Sequence, residues 1–110
     1  MRDLVDYLHD VFERFGPIIV RKMFGGYGIY RDRLMFALVS DDLLYLKADG
    51  ENAQHFEELG LGKFRYRSGE KIVAMSYYLA PPEIMEDREQ AAIWARKAYD
   101  AALRSRRKKR

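Results

Sequence analysis

The chain has 110 residues, 48% hydrophobic and 34% charged, which suits one globular domain with a single modest core and excludes a disordered segment. It has no cysteine, which removes disulfide scaffolds, thiolate metal sites and cysteine nucleophiles. The net charge of +3 is misplaced: six bases crowd the last seven positions, and without them 14 Lys and Arg face 17 Asp and Glu, a body of net −3. No apolar run approaches the roughly 20 residues of a membrane span and the start shows no signal-peptide pattern, so a cytoplasmic protein is expected.

Residues 3–15 read as an amphipathic helix, with Leu4, Leu8, Val11 and Phe15 at helical spacing. Gly16 and Pro17 end it, the glycine suiting the position past a helix and the proline blocking continuation. His9 falls outside the apolar stripe and receives no role.

Residues 21–30 pack three glycines and three aromatics into ten positions, R-K-M-F-G-G-Y-G-I-Y. Gly25 and Gly26 permit positive φ or close backbone approach. Gly28 sits in a strand-like alternation, as a small residue at a crowded position. The structural reading is a turn into an edge strand or bulge; the functional one is a backbone surface open to a phosphate or a partner. Candidate interaction residues are Arg21, Lys22, Met23, Phe24, Gly25, Gly26, Tyr27, Gly28 and Tyr30.

Three short strands follow over 27–31, Leu34–Ser40 and 43–48, linked by the polar pairs Asp32-Arg33 and Asp41-Asp42. In the middle one Leu34, Phe36 and Leu38 share one face and Met35, Ala37 and Val39 the other. Both faces are apolar, which calls for a central strand covered on both sides or a subunit contact, and a homodimer would supply the latter. A short helix is expected over 52–59, with Ala53, Phe56 and Leu59 apolar and His55 at the boundary. Strands over 63–67 and Lys71–Leu79 come next, joined through Ser68-Gly69-Glu70. Pro81-Pro82 breaks the sheet. Asp87, with Gln90 three residues on, starts a last helix running to about residue 104, its buried stripe Ala91, Trp94, Ala95, Ala98 and Ala102. Trp94 is the expected anchor on the sheet.

The order α-β-β-β-α-β-β-α makes an α+β fold of two layers, helices on an antiparallel sheet. Residues 1–104 form the domain and 105–110 a basic tail.

No catalytic pattern emerges. Ser40, Ser68 and Ser76 lack the strand-to-helix setting of a nucleophile elbow. The two histidines have no metal spacing, and the adjacent pairs Asp41-Asp42 and Glu57-Glu58 diverge rather than converge. The glycines lead into a strand, whereas a phosphate cradle must open onto a helix N-terminus. No catalytic residue, metal or cofactor is assigned. Nucleic acid remains a candidate partner, through the strand bases Lys63, Arg65 and Arg67 and through Arg104, Arg106, Arg107, Lys108, Lys109 and Arg110. The competing readings are a solvated strand face and a solubilising tail.

Residues 21–30, the runs Leu34-Met35-Phe36-Ala37-Leu38-Val39 and Leu44-Tyr45-Leu46-Lys47, then Met75-Ser76-Tyr77-Tyr78 with Ala80-Pro81-Pro82, and Trp94-Ala95-Arg96-Lys97-Ala98 together resemble the TfoX/Sxy N-terminal domain, in the same order along nearly the whole chain. The resemblance implies a YgaC/TfoX-N-like two-layer fold. It also implies a bacterial, non-enzymatic regulator of competence (DNA transformation), working through protein contacts at promoters with the cyclic-AMP receptor protein. This chain ends in the basic tail where those regulators continue into a second domain. The net-negative body and the tyrosines Tyr27, Tyr30, Tyr45, Tyr77 and Tyr78 favour a protein partner, such as a transcription factor, over direct DNA reading. The alternative is a weakly specific nucleic-acid binder using the tail.

Overall fold

A computed structural model describes residues 3–23 and 25–108, with the side chains of Val73 and Lys108 outside the description. The first helix, α1, spans Leu4–Val11. Asp3 caps it, its carboxylate accepting the Asp6 N–H at 3.0 Å. The apolar stripe predicts a helix to residue 15, but the chain leaves helical geometry after Val11 and continues in turns. Those turns aim Phe12 and Phe15 at the sheet: the ring centroids lie 5.5 Å and 5.0 Å from that of Phe36. Both rings stay buried, so the periodicity reported burial correctly and the helix end wrongly.

The expected order then follows, with one strand added ahead of it. Strand β1, Ile19–Met23, takes in what the sequence presents only as a lead into the glycine turn. Its ladder partner β2 is Gly26–Arg31, followed by β3, Leu34–Ser40, and β4, Leu43–Lys47. A short helix α2, Ala53–Glu58, precedes β5, Lys63–Ser68, and β6, Lys71–Leu79. After a 3-10 turn over Pro82–Met85 comes the long helix α3, Arg88–Lys108. The six strands form one antiparallel sheet in the order β1-β2-β3-β4-β6-β5. Tight turns explain the neighbour-to-neighbour pairing. Asp32 and Arg33, with φ of 50° and 67°, and Asp41 and Asp42, with 52° and 60°, are two-residue turns whose left-handed residues match the twist of the strands they join.

A bulge decides which way β3 faces. Ile29 pairs with Ala37 but Tyr30 pairs with Met35, leaving Phe36 as an extra residue. Phe36 and Ala37 therefore both turn toward the helices, followed by Val39, and all three join the main core. Met35 and Leu38 turn to the opposite face, Leu38 standing in a cross-strand row with Gly28 and Tyr45. Strict alternation would put Leu38 beside Phe36 and Val39 beside Met35; the bulge corrects that assignment.

All three helices lie on one face, with α3 across β3 and β4. Its buried stripe is alanine, Ala91, Ala95, Ala98, Ala101 and Ala102, which lets the helix axis come close to the sheet. Asp87 starts it as expected, accepting the N–H groups of Glu89 and Gln90 at 3.1 Å each. Trp94 is only half-buried; it meets Phe56 of α2 edge-on at 5.0 Å and packs against the margin of the core. Beyond residue 104 the helix continues unbroken through Lys108, so that part of the basic tail extends α3.

Candidate functional site

The glycine segment forms the hairpin between β1 and β2. Met23 pairs with Gly26 across a two-residue connection, in which Gly25 has a left-handed φ of 78°. A Cβ on Gly26 would lie 2.2 Å from the Val39 carbonyl oxygen, so its missing side chain lets β2 close on β3. A Cβ on Gly28 would meet the Met23 and Met35 sulfurs at 2.6 Å and 2.9 Å. Gly26 and Gly28 are packed against protein while the space beside Gly25 is open, and the hairpin is a tight turn from the edge strand β1 into β2. Arg21, Lys22, Met23, Gly25, Gly26, Tyr27, Gly28 and Tyr30 are placed on this hairpin; Phe24 lies outside the described residues.

No described helix covers the other face of the sheet. Even so, Leu38 and Tyr77 in its middle are 7% and 6% exposed. The sheet's own end hairpins supply the cover. Along the strand order, β2 and β5 are four steps apart, roughly 19 Å in a flat sheet. Residues of β1 and β2 at one end and of β5 and β6 at the other nevertheless line one cleft of about 430 Å³. Met23, Met35 and Met75 form its wall with Leu38, Phe64 and Tyr66. Phe64 packs edge-on against Tyr45 at 4.9 Å and lies nearly parallel to Tyr66. Arg67 is the charged residue among the described lining, and no described lining residue is acidic. Beside the cleft, Arg21 stacks over Tyr30 at 5.6 Å and the Lys47 ammonium over Tyr77 at 5.2 Å. Burial, reinforced by the neighbouring Tyr30, pushes the Tyr77 phenol up to about 12.

The model of the TfoX N-terminal domain family matches residues 10–102. The chain belongs to the TfoX N-terminal domain family. It is 33% identical over 78 residues to the DNA transformation protein TfoX1 of Aliivibrio fischeri, covering 71% of this chain and 37% of that protein. It is also 29% identical over 89 residues to Protein Sxy of Escherichia coli, 81% of this chain and 43% of that one. The chain thus spans less than half the length of these curated relatives.

Within this TfoX N-terminal domain the basic candidates separate into two groups. Lys63, Arg65 and Arg67 are exposed along the edge strand β5, with the Lys63 ammonium 5.9 Å from the Tyr78 ring. Arg104 is engaged: its Nε donates to Asp49 at 2.6 Å and a terminal nitrogen donates to the other oxygen at 2.9 Å, with Glu51 3.2 Å away. That fork holds the Asp49 carboxyl below the usual carboxylate range. Arg106 and Arg107 are exposed on the last turn of α3; the Lys108 side chain, Lys109 and Arg110 lie outside the description.

Sequence reasoning missed the Asp49 cluster. Buried Asn52 accepts the Asp49 N–H at 2.7 Å and donates to the Lys47 carbonyl at 3.1 Å, tying β4 to α2. Asp and Asn three apart before a helix are a turn signal, but an arginine 55 residues on gives no local sign. Tyr78 is buried and donates to Glu57 at 2.6 Å, a contact that raises its pKa. Among the described residues no group of His, Asp and Glu is arranged to hold a metal, and no helix is long and apolar enough to cross a membrane.

Proposed function

We propose that this TfoX N-terminal domain is a non-enzymatic, cytoplasmic regulatory module of bacterial competence that works by protein contact through the open face of its sheet. The observation that carries this reading is the methionine- and aromatic-lined cleft on a face with no helix over it. A mostly apolar cleft with few polar groups and no acidic one is the kind of concave site that takes a partner's side chains. The relative named a DNA transformation protein supplies the biological setting, and a transcription factor is the partner in that setting. The cyclic-AMP receptor protein is the first to test.

The experiment is a binding titration of the intact chain against cyclic-AMP receptor protein on promoter DNA, with wild type beside Tyr66→Asp. Tyr66 is 44% exposed, so the variant keeps the fold while placing a charge in the cleft wall. Binding by wild type that the variant loses supports the reading. Equal binding by both would remove the open face from it.

A second reading has its own observation. Because α3 stays helical through Lys108, Arg106 and Arg107 are carried at the end of a rigid rod, where they can meet phosphates without sequence selection. Duplex binding measured across salt concentrations, with and without residues 105–110, separates the two. An affinity that falls steeply with salt and disappears on truncation favours nucleic acid.

A further inference from the structure

We infer that the open-face cleft takes an amphipathic segment of a partner protein in which apolar side chains stand beside Asp or Glu. This rests on the protein-contact reading above and specifies the chemistry of the partner. The charge distribution carries it. None of the 17 Asp and Glu residues falls in a strand, whereas five of the six strands contain Lys or Arg. Every acid lies on the helices, the turns or the flanking segments. A domain body that is net negative therefore presents a sheet layer whose charged side chains are all positive.

The cleft repeats that pattern locally. Arg67 is in its wall, and Arg21 and Lys47 rest on Tyr30 and Tyr77 of the same face. Among the described residues neither Arg21 nor Arg67 has a carboxylate partner. Arg21 on its ring and Arg67 in the wall, neither with a carboxylate, favour an incoming acid, and like charge repels a basic segment. The remaining wall demands apolar contact. Three thioethers, unbranched and polarizable, adapt to irregular aliphatic or aromatic side chains, whereas a phosphate backbone would leave this apolar wall unused. A volume of about 430 Å³ lies in the range of ligand pockets, so a few anchoring side chains fill it.

The test is selection from a displayed library of random peptides of about 16 residues, four helical turns if helical, against the intact chain. Enriched peptides should combine Leu, Ile, Phe or Met with Asp or Glu. The best binder is then titrated against wild type, Tyr66→Asp, Arg67→Glu and the helix-layer control Arg96→Glu. Both cleft variants should weaken binding at least tenfold and the control should not; circular dichroism checks that each folds. Selection of basic peptides, of none, or of peptides indifferent to both cleft variants overturns the inference. If wild type instead sediments as a dimer that Tyr66→Asp dissociates, and peptides do not compete, the occupant is a second copy and the inference fails. Loss of peptide selection with cyclic-AMP receptor protein binding still abolished by Tyr66→Asp would sink this inference alone. Failure of the broader reading is seen when Tyr66→Asp leaves that binding unchanged.

Discussion

Substituting the two strand glycines one at a time separates backbone crowding from side-chain crowding. In Gly26→Ala the new methyl would sit 2.2 Å from the Val39 carbonyl oxygen and 3.3 Å from its carbon, both backbone atoms. Relief requires opening the β2–β3 ladder by about 1 Å, since ordinary carbon contacts begin near 3.4 Å. That disturbs one or two ladder hydrogen bonds at about 1 kcal/mol each and adds overpacking of about 1–3 kcal/mol. Removing a glycine from the unfolded chain offsets some 0.4–1 kcal/mol. The net expectation is a loss of about 2–3 kcal/mol, or roughly 8–12 °C in Tm for a domain of this size. In Gly28→Ala the close atoms are the Met23 and Met35 sulfurs, with a Tyr30 ring carbon at 3.0 Å. Thioether ends can swing aside, so this change should cost less than about 1 kcal/mol. Thermal and urea unfolding of both variants is the assay. Equal losses, or a larger one for Gly28→Ala, would refute the claim that strand approach is why Gly26 carries no side chain.

Arg104→Ala should lower stability by about 2 kcal/mol near neutral pH, since it strips two charge-assisted bonds from a mostly buried carboxylate. Asp49 titrates below 3.8 in the fold, so the benefit is complete above that value and fades as pH falls through the folded pKa. Acid unfolding curves of wild type and variant should accordingly converge in that window. With its phenol at about 12 against an ordinary 10.0, Tyr77 contributes stability that is full below pH 10 and shrinks as pH rises toward 12. Ultraviolet difference titration should show a late tyrosine step that Tyr77→Phe removes. Replacing Asp41-Asp42 by Asn-Gly should stabilise by about 1 kcal/mol, measured in urea, because both positions are left-handed and glycine adopts that conformation without strain.

Local chemistry alone accounts for much of what could be read in advance. The paired aspartates at 41 and 42, the Asp87 cap and the proline pair at 81 and 82 act within a few residues, so elements and boundaries followed from them. The family was legible for the same reason, its motifs being short runs such as 21–30 in fixed order. The strand Ile19–Met23 was hidden because its alternation is weak and its partner, β2, supplies the pairing. The Arg104 fork escaped because its two halves meet only when α3 lies across the sheet.

Composition and periodicity determined that this chain would form helices on an antiparallel sheet, with a glycine hairpin at its start. Tertiary structure decided which side of β3 faces out, because one extra residue at Phe36 reverses the alternation beyond it. It also decided that the outward side becomes a cleft, since β1–β2 and β5–β6 meet across it only after the sheet has curled. Pairing register and sheet curvature are sums over several strands, and no single stretch of sequence contains them.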